Sequence, residues 1–436
     1  MTTSDAGSIR HRGANRWEAL VAGHGQHLLQ SFLDGDRAAA EELRELFAAL
    51  DTGAFDRFLA ARPDLSEVHV TTSCHLLVLA VLNRLTGLEA EGFYKGDPLR
   101  YVRSNLLVQR MLGLQRLTLG WPVYAFGAEI LGQTMMYPSD QAPGSDPGVP
   151  LLTLNDWRNM PRYDPEHPIA GIVRETLLHM RRLSGIEPVA HLPAPYSLAA
   201  EVLGQETLIP ALAAAPDVVR QLLDLIVDRV LKPWCDDLAR SVPDVWLELS
   251  DASGSPMFIG PRNFLELAVA PVQRLIEENR WGDRVFVANY RGDLPPPQTA
   301  RGRRRRAAPT EGAISFESLL EAKKLCCPKF LTRLEADAAP PERYAEAAIS
   351  HRMPLYLGIG AVRLDRNSVT DVVTARSTLF EDTRRRTGLI RKVSDALAKV
   401  GAPRAALPWP GDLYVEDTNA ETHFDLLSEV LRGCRS

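Results

Sequence analysis

The segment Asp244–Phe264, DVWLELSDASGSPMFIGPRNF, constrains the fold more than any other part of the chain. Its alternating apolar run, VWLEL, predicts a short buried strand. A loop of small polar residues follows, and a helix begins near Pro261, a residue suited to the first helical turn. This order predicts a β-α unit in which Glu248 and Asp251 lie at or near the carboxyl end of the strand.

Length and charge limit the classes of protein to which the chain can belong. It has 436 residues, a formal net charge of −5 and no apolar run of about 18 residues. We therefore expect neither nucleic acid nor a membrane as a partner. The polar amino terminus, MTTSDAGSIRHRGANRW, lacks the apolar core of a secretory signal. Five scattered cysteines without a CxxC pair favour a reducing cytoplasm.

Apolar periodicity along the chain predicts alternating strands and helices. Residues 1–64 are expected to form a polar tail and a helical extension, and the chain is long enough for one large α/β barrel with extensions or for two or three ordinary domains. The predicted strands include residues 117–120, 124–130 and 405–407. In such a barrel the catalytic side chains lie at the carboxyl ends of the strands.

Several short motifs carry a resemblance to a known family. The run SDASGSPMFIGPRNFLEL resembles the D…S…ISP..F.EF segment of the uroporphyrinogen decarboxylase superfamily, which includes porphyrinogen decarboxylases and zinc-dependent, cobamide-linked methyltransferases. Similar patterns follow in order over roughly residues 65–435. The segment FGAEIL resembles FSDIL of the decarboxylases, whose acid faces the substrate. The resemblance therefore implies that residues 65–436 form a single (β/α)8 TIM-barrel domain, an enzyme in which Glu129 is a candidate proton donor.

Residues typical of each branch of that superfamily are replaced in this chain. Where the methyltransferase branch has the zinc ligands of a His-x-Cys-Gly motif, this chain has Asn289 and Arg291 before Gly292. The third family ligand, a cysteine, is absent from ALPWPGDLYVEDTN. We therefore expect no zinc site and no other cofactor. The MRQAGR motif and the histidine of the last decarboxylase loop are also missing, so uroporphyrinogen itself is not the expected substrate.

The predicted strand ends instead gather acidic side chains. Acids crowded in one cavity repel, so at least one is expected to keep a proton near neutral pH, which suits acid/base chemistry on a small polar molecule. The same acids could form an oxygen-rich cation site or pair with arginines. The expected catalytic residues are Glu129, Asp251 and Glu335. The expected substrate-binding residues are Tyr196, Glu201, Glu248, Asn289, Arg291, Asp337 and Asp412, and Asp293 belongs to the same set of acids.

Three functions follow from these expectations. The first is a metal-free lyase or decarboxylase in which Glu129 donates a proton while Asp251 and Arg291 orient the substrate. The second is a methyl- or alkyl-group transferase that uses different ligands or a corrinoid partner protein. The third is a non-catalytic barrel that binds a partner through its amino-terminal helices and the arginine run Arg301–Arg306, which is otherwise a solvated insertion. A homodimer is expected because barrels of this family often pair.

Overall fold

The computed structural model describes residues 5–60, 67–139, 141–146, 148–292, 314–402 and 412–436. The predicted strand at 405–407, Asp293 and the arginine run Arg301–Arg306 fall outside these residues. No helix in the described parts of the chain is both long and apolar enough to cross a membrane.

Parallel strands form the centre of the protein. The strands are β1 (Val70–Thr72), β2 (Met135–Met136), β3 (Gly144–Ser145), β4 (Val189–Pro193), β5 (Trp246–Ser250), β6 (Val285–Phe286), β7 (Leu331–Arg333), β8 (Leu355–Ile359) and β9 (Leu413–Val415). One parallel sheet has the order β1-β9-β8-β7 and a second has the order β4-β5-β6. Strands β2 and β3 form a small antiparallel pair. This mixed α/β architecture with parallel sheets confirms the predicted α/β class and is consistent with a TIM-like fold, while the closed eight-stranded barrel stays a prediction.

Helices surround the two parallel sheets. They are α1 (Asp5–Leu33), α2 (Arg37–Asp51), α3 (Asp56–Leu59), α4 (His75–Thr86), α5 (Ala90–Lys95), α6 (Pro98–Met111), α7 (Val123–Glu129), α8 (Pro168–Ser184), α9 (Pro195–Leu203), α10 (Gln205–Ala214), α11 (Pro216–Ile226), α12 (Lys232–Ser241), α13 (Pro256–Ile259), α14 (Pro261–Asn263), α15 (Ala270–Glu278), α16 (Phe316–Cys326), α17 (Pro341–His351), α18 (Val372–Lys399) and α19 (Phe424–Arg435). Short 3-10 turns and two π-helical segments, Val227–Leu231 and Phe264–Val269, complete the described structure.

Local sequence accounts for where many of these elements begin. Asp36 precedes α2 and its carboxylate accepts a hydrogen bond from the Ala38 N–H. Asp97 does the same for Leu99 at the start of α6, where Pro98 occupies the first turn. The predicted strand in the segment from 244 to 264 is β5, and Pro261 opens α14 as expected. The β-α unit predicted for residues 244–264 is therefore confirmed.

The helices expected before the barrel are present as α1, α2 and α3. They pack against the rest of the chain, since the Gln26 side-chain amide donates to the Leu112 carbonyl at 2.7 Å, just after α6. Residues 61–66, which contain the predicted boundary, lie outside the described residues. The division of the chain at residue 64 therefore stays a prediction.

Two predicted strands take a different form. Residues 124–130 were expected to be extended, but Val123–Glu129 is helix α7. This helix packs tightly on β4, because a Cβ atom at Gly127 would lie 2.3 Å from Cγ of Pro193. Packing therefore overrides the strand propensity of the local sequence. Residues 117–120 form no assigned strand, because the Gln109 side chain bonds both the N–H and the carbonyl of Thr118, at 2.9 and 2.6 Å.

Candidate active site

A cavity of about 270 Å³ lies where the parallel strands end. Residues that end or follow strands of both sheets line it, among them Ser73 after β1, Ser250 at the end of β5, Asn289 after β6 and Asp417 after β9. The carboxyl ends of parallel strands are where α/β folds place their ligands and catalytic side chains. We refer to this space as the strand-end cavity and treat it as the candidate active site.

A histidine and a glutamate form the best-defined polar pair at this cavity. His191 on β4 and Glu248 on β5 are register partners in the parallel ladder, and both line the cavity. Nδ1 of His191 lies 3.2 Å from Oε2 of Glu248, and the two side chains are only 13% and 7% exposed. A desolvated histidine–carboxylate pair of this kind can take up and release a proton. The backbone ladder fixes the position of both residues.

A second histidine at the cavity is held in its neutral form. His75 is the first residue of α4, and its Nδ1 lies 2.8 Å from the Tyr94 hydroxyl. Burial, with a smaller repulsion from His191, lowers the pKa of His75 to about 4 against the opposing attraction of Asp417. Burial and Asp417 also raise the pKa of Tyr94 well above its usual range. His75 is thus a neutral polar group near pH 7, bonded to a tyrosine that keeps its proton.

Negative charge predominates at the ends of β6 and β9. Arg291 lines the cavity, and its Nη1 lies 3.9 Å from Oε2 of Glu416, which is beyond hydrogen-bond distance. Burial raises the pKa of Glu416, opposed by the charge of Arg291. Burial, then the charges of Asp417, Glu248 and Glu416, raise the pKa of Tyr414 well above its usual range. Among the lining side chains that the structure describes, the two carboxylates of Glu248 and Asp417 therefore carry more charge than the one guanidinium of Arg291.

Aromatic rings make up much of the remaining wall. The Trp121 ring meets the His191 ring edge to face, with centroids 5.3 Å apart. Tyr124, on α7, accepts a hydrogen bond from the Ala252 N–H at 3.1 Å, which ties α7 to the loop after β5. Burial raises the pKa of Tyr124 to about 12, so its hydroxyl is protonated. The aromatic residues that line the strand-end cavity are Trp121, Tyr124, Phe330, Tyr356 and Tyr414.

Glu248, Asn289 and Arg291 are the predicted site residues that line this cavity. Asn289 also braces the loop behind it, because its Oδ1 accepts from the Asp251 N–H at 3.0 Å. Asp251 itself is fully buried, and its carboxylate accepts from the Ser197 hydroxyl at 2.8 Å. Burial raises the pKa of Asp251 to about 6 against these hydrogen bonds. Asp251 therefore does not line the cavity but stabilises the loop after β5, which does.

Three other predicted binding residues also lie away from the lining. Tyr196 is buried within α9. Glu201, on the same helix, accepts a hydrogen bond from the Ser145 hydroxyl. Asp337 forms a buried ion pair with Lys323 at 2.5 Å and accepts from the Gly292 N–H at 3.0 Å. Asp337 therefore supports the backbone next to Arg291.

Three further acids of the predicted set lie away from the strand-end cavity, so Glu248 is the one acid among those predicted, and described by the structure, that lines it. Glu129 ends α7 and bonds both Lys95 and the Tyr137 hydroxyl, in a separate polar pocket. Glu335 follows β7 and pairs with the buried Arg386 at 3.0 Å. Asp412 precedes β9, so it lies at the amino end of the strand and not at the carboxyl end. Its carboxylate there accepts a hydrogen bond from the backbone N–H of residue 69 at 3.1 Å.

Sequence reasoning missed several residues that line the cavity. His75 lies at the start of a helix and Asp417 in the loop before the last helix, and neither was predicted as a site residue. His191 lies inside the short apolar run VAHLP, which is β4, and was not predicted as a site residue either. Their common signal is a polar residue in or just after a short buried strand, the position that faces a site in parallel sheets. No group of three histidine, cysteine or acidic side chains in the described residues is arranged to hold a metal ion.

Comparisons with known proteins bear mainly on the fold. No protein-family model matches the chain, and no curated protein is detectably similar in sequence. A solved structure, a methyltransferase from Methanosarcina mazei, is similar with a TM-score of 0.56 and 13% sequence identity. The match covers 89% of this chain and 98% of that chain. At this identity the similarity shows that the two chains share a fold, in agreement with the α/β fold predicted from the sequence.

Proposed function

We propose that this protein is an enzyme that transfers a methyl or other small alkyl group to an acceptor bound in the strand-end cavity. The observation that carries the proposal is the His191–Glu248 pair, held in register at the cavity wall. The shared fold with a methyltransferase supports transfer over the decarboxylation that the sequence favoured. A cavity of about 270 Å³ is just below the ~300–1,000 Å³ range of ligand sites, so the substrate is small.

The chemistry of alkyl transfer explains what the pair does. A thiol or hydroxyl acceptor uses a lone pair to form the new bond to carbon, while the bond from that carbon to the donor breaks and its electrons leave with the donor. The acceptor must lose its proton in this step. The His191–Glu248 pair takes that proton, and removing it in a desolvated site makes the acceptor a better nucleophile. Asn289 and Arg291, which also line the cavity, orient the polar part of the substrate.

The side chains at the expected zinc-ligand positions do not suit the zinc ion of the cobamide-linked methyltransferases. At two of those positions this chain has the amide of Asn289 and the guanidinium of Arg291. The Asn289 carbonyl oxygen is already bonded to the Asp251 N–H, and Arg291 faces Glu416. Zinc prefers thiolate and imidazole ligands in tetrahedral geometry. The proposed transfer therefore does not use a zinc ion. A corrinoid partner protein and a homodimer remain predictions from the sequence.

Decarboxylation loses its predicted proton donor. Glu129 is bonded to Lys95 and Tyr137 and faces a separate pocket, so it does not reach a substrate in the strand-end cavity. A barrel that only binds a partner would not need a buried histidine–carboxylate pair at its strand ends, since desolvating such groups costs free energy. The decarboxylase and the non-catalytic barrel therefore have less support than group transfer.

The decisive experiment incubates the purified protein with methyl donors of the sulfonium, ammonium and methylcorrinoid classes, each with thiol and hydroxyl acceptors. Mass spectrometry then follows the acceptor for the gain of a methyl group. We expect methylated acceptor with at least one combination. Release of carbon dioxide from small carboxylic acids, without methyl transfer in any combination, would overturn the proposal in favour of the lyase.

A further inference from the structure

The strand-end cavity combines two features that suit one kind of ligand. Its wall contains the five aromatic rings named above, several of them deeply buried, with Phe330 at 1% and Tyr356 at 2% exposure. In the part of the chain that the structure describes, its lining also carries the carboxylates of Glu248 and Asp417 and one guanidinium, that of Arg291. Aromatic faces attract cations through their quadrupoles, and carboxylates attract them by charge.

We propose that the alkyl donor is a small methylated onium ion, a quaternary ammonium or a sulfonium, seated between the aromatic wall and the carboxylates of Glu248 and Asp417. This inference rests on the proposed group transfer for the role of the ion, and it deepens that proposal by naming the class of donor. The ligand chemistry itself follows from the wall and the charges.

A methylated cation fits this wall better than a primary ammonium does. A primary ammonium is strongly hydrated and needs hydrogen-bond acceptors for each of its N–H groups. Ring faces are poor replacements for those acceptors. A methylated onium ion spreads its charge over methyl groups, has no N–H to satisfy, and packs against rings with little loss of hydration. The aromatic lining of Trp121, Phe330 and Tyr356 therefore selects for methyl groups, while Asp417 and Glu248 select for positive charge.

The position of Arg291 is compatible with a bound cation. Its guanidinium is partly exposed, at 36% of the side chain, and it faces Glu416 at 3.9 Å. Its charge is therefore partly offset by Glu416. Like the charge of the exposed Asp417, it is screened more strongly than the charge of the buried Glu248.

The transfer step balances with an onium donor. The acceptor lone pair forms a bond to one methyl carbon as the carbon–nitrogen or carbon–sulfur bond breaks. The electron pair of that bond remains on nitrogen or sulfur, which leaves as a neutral amine or sulfide. The acceptor proton passes to the His191–Glu248 pair, so the positive charge of the donor ends on a group that Glu248 already stabilises. No oxidant, reductant or metal ion is required.

The test compares ligands of equal shape and different charge by calorimetry. Choline and its neutral carbon isostere, 3,3-dimethyl-1-butanol, differ only in the charged atom. The hydroxyethyl dimethylsulfonium ion and ethanolamine complete the series and separate sulfonium, quaternary ammonium and primary ammonium. We expect at least one methylated cation to bind about 10-fold or more tightly than the isostere and than ethanolamine, because contact with aromatic faces in a desolvated site favours a methylated cation.

A matched pair of variants identifies the site. Asp417→Asn removes one negative charge from the cavity and is expected to weaken onium binding several-fold while leaving binding of the isostere unchanged. Asp395→Asn removes a charge from the exposed face of α18 and is expected to change neither. Thermal unfolding checks that both variants are folded. If Asp417→Asn is unfolded, the wild-type ligand series alone still decides the question.

The outcomes separate this inference from the proposed function. Equal affinity for the onium ions and the isostere, or no onium binding at millimolar concentration, overturns the inference. Methyl transfer from a methylcorrinoid in that case would leave the proposed function intact. Tight onium binding without methyl transfer to any acceptor would uphold the ligand class and overturn the proposed function.

Discussion

Nδ1 of His191 and Oε2 of Glu248 lie 3.2 Å apart across the parallel ladder between β4 and β5. Because the two residues are register partners, their side chains leave the sheet on the same side and at the same level. Sites carried on strands hold their side chains more rigidly than sites carried on loops. The pair is thus preorganised for proton transfer before any substrate arrives.

Replacement of Glu248 by glutamine is expected to slow methyl transfer about 100-fold or more, the usual contribution of a positioned acid or base. The amide keeps the size of the side chain but cannot stabilise a proton on His191. The control is Glu187→Gln, at the other end of the same strand pair, where Glu187 accepts a 2.8 Å hydrogen bond from the Trp246 indole. Single-turnover rates measure the effect, and equal rates for both variants would contradict the assigned role.

The buried carboxyl of Asp251 is expected to set part of the pH dependence of stability. Its pKa is about 6 in the folded protein against 3.8 in the unfolded chain, so the folded state binds the proton more tightly. Its contribution is fully present below pH 3.8 and is lost as the pH rises through 6, by about 3 kcal/mol. Asp251→Asn is expected to abolish this decline, measured by denaturant unfolding from pH 4 to 8.

Because an asparagine can still accept from Ser197 and from the Gly254 N–H, the Asp251→Asn variant should fold. Above pH 6 it should match or exceed the wild-type protein in stability. A wild-type profile that rises between pH 4 and 6 in parallel with that of the variant would show that Asp251 does not keep its proton.

His75 is expected to give stability the opposite pH dependence from that of Asp251. Its pKa is about 4 in the folded protein and 6.5 in the unfolded chain, so the unfolded chain takes up the proton first. The contribution of the neutral His75 to the free energy of unfolding is therefore fully present above pH 6.5. It is lost as the pH drops through 4, by about 3 kcal/mol. NMR of the imidazole nitrogens measures this directly. A ring that is protonated at pH 6 would contradict the burial of His75 beside Tyr94.

The buried pair of Lys323 and Asp337 is expected to support the site from behind. Asp337 accepts from the N–H groups of Gly292 and Leu334, both at 3.0 Å, and from the Lys323 ammonium. Asp337→Ala leaves a buried ammonium without its partner, so we expect a loss of about 3–5 kcal/mol in the free energy of unfolding. Lys323→Met in the same background should recover part of this loss. No recovery would mean that the backbone contacts of Asp337 dominate.

Sequence patterns predicted the local elements better than the site. The strand and loop around Glu248 were predicted correctly because their apolar run and small-residue turn act locally. The stretch that became α7 was not, because its conformation depends on the contact between Gly127 and Pro193 from another part of the chain. Asp412 was placed after a strand at 405–407, whereas β9 begins at Leu413 and places the acid at the other end.

The composition of the site depends on contacts that no local pattern contains. His191 and Glu248 become partners only when β4 and β5 pair, and each alone resembles an ordinary strand residue. His75 becomes a neutral site residue only through burial and its bond to Tyr94. Glu129 has the family's pattern but bonds Lys95 instead. The strand ends were therefore predictable as a location, while the choice of residues required the tertiary structure.

The strand-end cavity also lies between two sheets whose strands form separate ladders in the described residues. Tyr414 reaches it from one sheet, and His191 and Glu248 reach it from the other. A ligand seated among them would contact side chains from both sheets. Loading the protein should therefore slow the exchange of amide protons in both sheets.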